Sequence, residues 1–221
     1  MLNVAPYIDH TILKPGTVST EVQQLCSEAV NFGFAAVCIP PPFVRKAHQL
    51  LKDSEVKVAT VIGFPFGYSV AKAKLAEVEQ ALDDGADELD VVINISAAKS
   101  ASWNYLESEI RLLLKPIREA GRVIKVITES GILSDEEILK CCNIYGSAGV
   151  DFVKTSTGYA ETGATIHAVQ LMRANLPSDT RIKASGGIRT YEAAVQYINA
   201  GADRIGCSAG VMIMKQQASH Q

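Results

Sequence analysis

The sequence predicts an α/β fold in which eight parallel strands alternate with helices and close into a barrel. Short apolar segments of four to eight residues alternate with longer stretches of helical periodicity. The pieces NFGFAAV, DDGADELDV, SAGVDFVK and NAGADRIG each place a glycine just before such a segment. The pattern runs through residues 1–221 without a Pro- or Ser-rich linker. These observations favour one domain with the (β/α)₈ architecture of a TIM barrel.

The eight predicted strands are the short apolar segments. In chain order they cover residues 7–13, 34–39, 56–62, 87–94, 123–129, 151–156, 181–185 and 204–208. A doubly wound open sheet is the alternative arrangement of such units. It would require a glycine-rich GxGxxG motif after the first strand, and the sequence has none there.

The eight predicted helices follow the strands. They cover residues 20–31, 43–51, 69–83, 102–119, 135–147, 164–175, 190–199 and 209–217. Ser69 and Ser134 are the predicted N-caps, because their hydroxyls can accept hydrogen bonds from backbone N–H groups of the first turn. Gly85, Gly149 and Gly201 stand where a glycine commonly ends a helix.

The composition argues against several classes of partner and compartment. A net charge of −3 gives no overall attraction to nucleic acid or to an anionic membrane. No apolar run approaches the roughly 18 residues of a membrane span, and the first residues do not resemble a signal peptide. The five cysteines lack CxxC spacing, which predicts reduced thiols and a cytoplasmic protein. The four histidines form no metal-spaced cluster, so no metal is expected.

Strand alternation predicts that several charged side chains point into the barrel. The apolar alternate positions belong against the helices, so the residues between them face the interior. This rule turns Asp9 and Asp90 inward on the first and fourth strands. On the next three strands it turns Lys125, Lys154 and Lys183 inward, and these lysines are spaced 29 positions apart.

Three lysines that point into one barrel interior indicate a catalytic role. A single lysine in an apolar strand usually lies at an edge or reaches water. Three lysines in one barrel interior are a different case, because like charges repel strongly in a medium of low dielectric. An enzyme that needs a neutral amine can use them, because desolvation and neighbouring cations lower the pKa of a lysine. Asp90 would exchange protons with the amine or only pair with a lysine, and Asp9 would contact substrate or form a buried ion pair. Cys38 would point inward as a small apolar residue.

Two glycine-containing segments predict a phosphate site. KASGGIR at 183–189 places Gly186 and Gly187 after the seventh strand, where backbone N–H groups can approach an anion. GCSAG at 206–210 ends the eighth strand and opens the last helix, whose N-terminus favours negative charge. Barrels of this type commonly bind phosphate at this position. The alternative is that the glycines only make tight turns.

A set of motifs extends from residue 8 to residue 210. The most specific is VKTSTG at 153–158, and the others are IDHTILKP at 8–15, VCIPP at 37–41, IGFPFG at 62–67, ELDVVIN at 88–94, KVITESG at 125–131, KASGGIRT at 183–190 and IGCSAG at 205–210. Together they resemble the deoxyribose-phosphate aldolases, which are class I, Schiff-base aldolases. The resemblance covers nearly the whole chain.

The resemblance implies a reaction and its catalytic residues. The reaction is the reversible cleavage of 2-deoxy-D-ribose 5-phosphate to D-glyceraldehyde 3-phosphate and acetaldehyde, in deoxyribose phosphate catabolism, without cofactor or metal. Lys154 would form the Schiff base, and Asp90 and Lys183 would form a proton relay with water. Lys125 would add to the electrostatic field or pair with Glu129 or Asp90.

The resemblance also implies substrate contacts and a possible homodimer. The phosphate contacts would be Gly186, Gly187 and Ser208, and further substrate contacts would be Thr157 and Asp9. Two positions depart from some family members: Tyr159 replaces a basic residue that helps hold phosphate, and the sequence ends in QASHQ where some members have a tyrosine that assists proton transfer. The rival interpretations are another Schiff-base barrel, such as a transaldolase-like or keto-acid aldolase, and a phosphosugar-binding barrel without aldolase chemistry.

Overall fold

A computed structural model describes residues 2–219 as a closed barrel of eight parallel strands. Each strand pairs with the next in sequence, and β8 pairs with β1. The strands are β1 (Ile8–Thr11), β2 (Ala36–Ile39), β3 (Lys57–Ile62), β4 (Glu88–Val92), β5 (Val123–Ile127), β6 (Phe152–Lys154), β7 (Arg181–Ser185) and β8 (Arg204–Cys207). The predicted (β/α)₈ barrel is confirmed, and the open sheet is excluded by the β1–β8 pairing.

Helices follow every strand within residues 2–219. They are α1 (Ser19–Phe32), α2 (Val44–Leu51), α3 (Ala71–Asp83), α4 (Ile95–Lys99), α5 (Trp103–Glu119), α6 (Asp135–Ala148), α7 (Ile166–Asn175), α8 (Tyr191–Asn199) and α9 (Gly210–Ser219), with 3₁₀ turns at Ala5–Tyr7 and Pro41–Phe43. The sequence analysis missed α4, which is too short to show helical periodicity. Its N-cap is Asn94, whose side chain accepts a hydrogen bond from the backbone N–H of Ala97 at 3.0 Å. None of the helices described here has the length and hydropathy that a membrane crossing requires.

The helix ends agree with the sequence prediction in most places. Ser134 caps α6: its hydroxyl accepts from the Glu137 N–H at 3.3 Å, while Glu137 accepts from the Ser134 N–H at 2.8 Å. This reciprocal capping box satisfies two otherwise unpaired donors. Gly149 ends α6 in the left-handed region, at a φ of 73°. The prediction for Ser69 was wrong, because α3 begins after Val70 and has no side-chain cap.

The strands separate an apolar outer layer from a charged interior. On β4, Leu89 and Val91 join the main core against the helices, whereas Asp90 is fully buried on the other face. The register places Asp90 beside Lys125 and Lys154 beside Lys183. Side chains from β4 through β7 are therefore neighbours within the barrel.

Candidate active site

The barrel interior holds a network of buried charges centred on Asp90. Its Oδ1 accepts a hydrogen bond from Lys125 Nζ at 2.9 Å. Its Oδ2 accepts from Lys154 Nζ and from Lys183 Nζ, each at 2.8 Å. The inward orientation predicted for the three lysines is therefore confirmed, and one carboxylate contacts all of them.

Two further carboxylates extend this network. Asp9 contacts Lys183 and Arg204, and Glu88 contacts Arg204 at 3.1 Å and Lys125 at 2.5 Å. Sequence analysis missed Glu88 and Arg204. Each lies two residues before an inward-facing position. Applying strand alternation to the first residues of β4 and β8 would therefore have predicted that both side chains face the interior.

Asp9 forms buried ion pairs within this network. Its side chain is fully buried, and Lys183 and Arg204 bind its carboxylate. It does not line the cavity described below. Of the two roles that the sequence left open, the structure shows the buried ion pair.

The pairing within the network shifts the pKa values of its members. Burial alone would raise the pKa of Asp90, but Lys125, Lys154 and Lys183 hold it well below the usual value. Burial alone would lower the pKa of Lys183, but Asp9 and Asp90 raise it. The pKa of Lys125 is likewise raised, because Asp90 and Glu88 outweigh its burial. Asp90 is therefore ionised and Lys183 and Lys125 are protonated at neutral pH.

A cavity of about 630 Å³ opens at the carboxyl ends of the strands. Lys154 is the one member of the buried lysine triad that lines it. The other predicted site residues on its wall are Thr157, Gly186, Gly187 and Ser208. Asp90 and Lys183 do not line it and are fully buried behind Lys154. The structure thus separates the predicted site residues into those that face the cavity and those that are buried behind it.

Thr157 is held by a buried glutamate that the sequence analysis did not place in the site. The Thr157 hydroxyl donates to Glu129, and its backbone N–H donates to the same carboxylate at 3.2 Å. Glu129 has a φ of 58°, in the left-handed region that non-glycine residues rarely adopt. Burial raises the pKa of Glu129. Lys125 pairs with Asp90 and Glu88, so its alternative pairing with Glu129 is not the one adopted.

The two glycines after β7 serve different purposes. Both have positive φ, 92° at Gly186 and 85° at Gly187. A Cβ on Gly186 would lie 2.9 Å from the Cα of Gly163, so this glycine allows two loops to pack closely. A Cβ on Gly187 would meet nothing within 4 Å, because this residue faces open space at the cavity. Both glycines therefore make the turn after β7, and both also line the cavity.

Two further features bear on the chemistry. Within the part of the chain that the structure describes, no group of three or more His, Cys, Asp and Glu side chains is placed to hold a metal ion. The cysteines at 26, 38, 141, 142 and 207 are buried and unpaired. His220 and Gln221, at the end of the chain where some aldolases have a tyrosine, lie outside the described residues.

Known proteins resemble this chain over nearly its whole length. Residues 3–216 match the model of the DeoC/LacD family aldolases. The chain is 48% identical to the deoxyribose-phosphate aldolase of Caldanaerobacter subterraneus subsp. tengcongensis, over 98% of this chain and 94% of the relative. It is 48% identical to that of Lactococcus lactis subsp. lactis, over 99% of both chains. A solved structure from Aeropyrum pernix, described as a tetrameric deoxyribose phosphate aldolase, superposes with a TM-score of 0.92 at 34% identity, over 99% of this chain and 92% of that one.

Proposed function

The chain belongs to the DeoC/LacD family of aldolases and is a lyase with deoxyribose-phosphate aldolase activity. From that premise, we propose that Lys154 is the nucleophile that forms a Schiff base with the substrate aldehyde. Asp90 and Lys183 hold and transfer protons behind it. The substrate is 2-deoxy-D-ribose 5-phosphate, and the products are D-glyceraldehyde 3-phosphate and acetaldehyde.

One observation carries this proposal: Lys154 both lines the cavity and shares the Asp90 Oδ2 atom with Lys183. A substrate in the cavity therefore meets the Lys154 amine first. The amine in turn contacts the buried carboxylate of Asp90, which can accept its proton. Lys183 donates a hydrogen bond to the same carboxylate oxygen and can return a proton.

Lys154 is the member of the charged network that is best placed to react with a substrate. The carboxylates of Asp9, Glu88 and Asp90 face the basic groups of Lys125, Lys154, Lys183 and Arg204. One positive charge in the network is thus in excess, and an excess charge in a buried network is unfavourable. Lys154 contacts only one of the carboxylates and lies next to the cavity. Addition to an aldehyde requires the free amine of this residue.

The chemistry follows from that amine. Lys154 adds to the C1 aldehyde, and loss of water gives a protonated imine that withdraws electrons from the adjacent carbons. Removal of the proton from the C3 hydroxyl then breaks the C2–C3 bond, and its electrons form an enamine on Lys154. D-glyceraldehyde 3-phosphate leaves, C2 accepts a proton, and hydrolysis of the imine releases acetaldehyde. Asp90 and Lys183 supply the acceptor and donor for these proton transfers.

The phosphate binds at the carboxyl ends of β7 and β8. Gly187 and Ser208 line the cavity there, and α9 begins two residues after Ser208. Backbone N–H groups and the positive end of the α9 dipole favour an anion. The loops after β1 and β6 flank this position, because β1 pairs with β8 and β6 pairs with β7.

Trapping of the imine tests the proposal. Borohydride added with acetaldehyde is expected to inactivate the enzyme irreversibly and to leave a reduced two-carbon adduct on the peptide containing Lys154, read by mass spectrometry. Lys154→Arg, treated identically, is expected to carry no adduct. An unmodified Lys154 peptide in the inactivated enzyme would refute the assignment and favour a phosphosugar-binding barrel with other chemistry.

We also propose that the enzyme is a cytoplasmic homodimer. Unpaired cysteines at all five positions fit a reducing compartment. Phe66 and Tyr68 stack on each other while half or more exposed, and the adjacent Val70 is 68% exposed, which provides an apolar surface for a second subunit. Sedimentation at several protein concentrations measures the subunit number, and cell fractionation measures the compartment.

A further inference from the structure

We infer that Lys14 selects phosphorylated over non-phosphorylated substrates by pairing with the substrate phosphate, and that Tyr159 positions Lys14 for this purpose. The inference rests on the proposed function, because it takes the cavity beside Lys154 as the substrate site. It adds a specificity-determining cation from the loop after β1, the strand that pairs with β8.

Lys14 belongs to the rim of the catalytic cavity. It lies in the loop between β1 and α1 and lines the same cavity as Lys154, Gly187 and Ser208. Its side chain is 71% exposed, so the ammonium group can turn toward a ligand without a large desolvation cost.

The backbone around Lys14 is fixed by contacts from both sides. The Tyr159 hydroxyl donates a hydrogen bond to the carbonyl of Leu13 at 2.8 Å, across 146 residues of sequence. The Lys14 carbonyl accepts from the Thr17 N–H at 3.1 Å and from the Thr17 hydroxyl at 2.8 Å. The Tyr159 ring packs edge-on against Phe64, with 5.4 Å between ring centroids. Tyr159 therefore ties the loop that carries Lys14 to the loop that follows Lys154.

The present partner of Lys14 can be replaced by a phosphate. Lys14 Nζ lies 3.5 Å from Glu21 Oε1, which is a long contact. The other oxygen of Glu21 accepts from the Val18 N–H at 3.0 Å. Glu21 thus keeps a hydrogen-bond partner when Lys14 moves to a phosphate, and neither group is left unsatisfied.

The charges around the cavity require such a cation. Glu21 and Glu28 both line the cavity and repel a phosphate dianion. Glu28 is bound by His10 at 2.8 Å and by Gln24 at 2.8 Å. Apart from Lys154, which reacts with the aldehyde, the basic lysine and arginine side chains on the cavity wall are Lys14 and Arg189. Lys14 directly follows Leu13, whose carbonyl accepts a hydrogen bond from Tyr159 in the loop that follows the nucleophile.

The first test compares Lys14→Gln with Lys52→Gln on two substrates. Lys52 is a matched control, because its side chain is 69% exposed and pairs weakly with Asp53 at 4.0 Å. With 2-deoxyribose 5-phosphate, Lys14→Gln is expected to raise KM about tenfold, which corresponds to about 1.4 kcal/mol, and to change kcat less than about twofold. With unphosphorylated 2-deoxyribose, kcat/KM is expected to stay within about twofold. Lys14→Arg should retain the wild-type preference for the phosphorylated substrate. Lys52→Gln should leave the kinetic constants for both substrates unchanged.

The second test uses a double-mutant cycle with Tyr159→Phe. The single variant is expected to raise KM for the phosphorylated substrate by about threefold, because Lys14 loses its positioning. The double variant should have a KM for the phosphorylated substrate no higher than that of Lys14→Gln, since Tyr159 acts through Lys14. Additive effects would overturn the positioning role of Tyr159.

Three results would overturn the role of Lys14 itself. These are an unchanged KM in Lys14→Gln, an equal loss on both substrates, or a loss of phosphate preference in Arg189→Gln alone. Failure of the proposed function is distinguishable, because acetaldehyde carries no phosphate. Borohydride trapping with acetaldehyde should be as complete in Lys14→Gln as in the wild type, whereas absence of trapping in the wild type would refute Lys154.

Discussion

At the scale of single residues, Lys183 is both a proposed member of the proton relay and a partner in the buried ion network. It contacts Asp9 and Asp90, and all three side chains are fully buried. Removing the lysine would therefore take one buried cationic partner from each of the two carboxylates. A loss of activity on mutation has two possible causes, so stability must be measured alongside turnover.

We expect Lys183→Leu to fold, to lose activity by roughly 100-fold or more, and to be destabilised by about 3–5 kcal/mol. A chain of this size should then melt roughly 10 °C lower. Circular dichroism and thermal melts measure folding, and retro-aldol assays measure kcat. Lys57→Leu is the control, because Lys57 is the exposed first residue of β3. Wild-type turnover in Lys183→Leu would remove Lys183 from the proton relay, and an unchanged melting temperature would contradict its role in the ion network.

At the scale of elements, the loop from β3 to α3 depends on a glycine. Gly67 has a φ of 70°, and its N–H donates to the Gly63 carbonyl at 2.8 Å. A Cβ on Gly67 would lie 1.6 Å from the carbonyl oxygen of Ile93. This close approach packs the loop after β3 against the end of β4, the strand that carries Asp90.

We expect Gly67→Ala to destabilise the protein by about 3 kcal/mol or more, because backbone must move and the left-handed conformation is strained. Gly16→Ala is the matched control, since a Cβ there meets nothing within 4 Å and its φ lies outside the strained range. The control should change stability by less than about 0.5 kcal/mol. Urea denaturation measures both variants. A Gly67→Ala protein as stable as Gly16→Ala would show that the loop can move away at little cost.

At the scale of the whole molecule, the two ends of the chain are joined. β1 is hydrogen-bonded to β8, and the Val4 N–H donates to the Gln217 side chain on α9 at 3.1 Å. The Tyr191 hydroxyl on α8 donates to the Leu2 carbonyl at 3.0 Å. We propose that residues 1–221 therefore form a single cooperative domain, since opening the barrel at any strand exposes the shared core.

This proposal predicts coincident unfolding by two probes. The chain has a single tryptophan, Trp103, at the start of α5. Its fluorescence and the far-UV circular dichroism are expected to change with the same midpoint in denaturant. Two separated midpoints would indicate that parts of the barrel unfold independently and would contradict the single-domain assignment.

The sequence alone determined the order of the strands, the closed barrel and the inward direction of Asp90, Lys125, Lys154 and Lys183. These features follow from strand alternation and from the repeated strand–helix unit, which are local properties of the chain. The short helix α4 was missed because five residues cannot show periodicity.

Only the tertiary structure decided how the buried charges are paired and which of them reach the cavity. It placed Asp9 in an ion pair, added Glu88 and Arg204, and left Lys154 alone among the three lysines at the cavity wall. The physical reason is that ion pairing depends on distances between atoms on strands far apart in sequence. Alternation gives the face of a strand on which a side chain lies, but not its height in the barrel or its nearest partner.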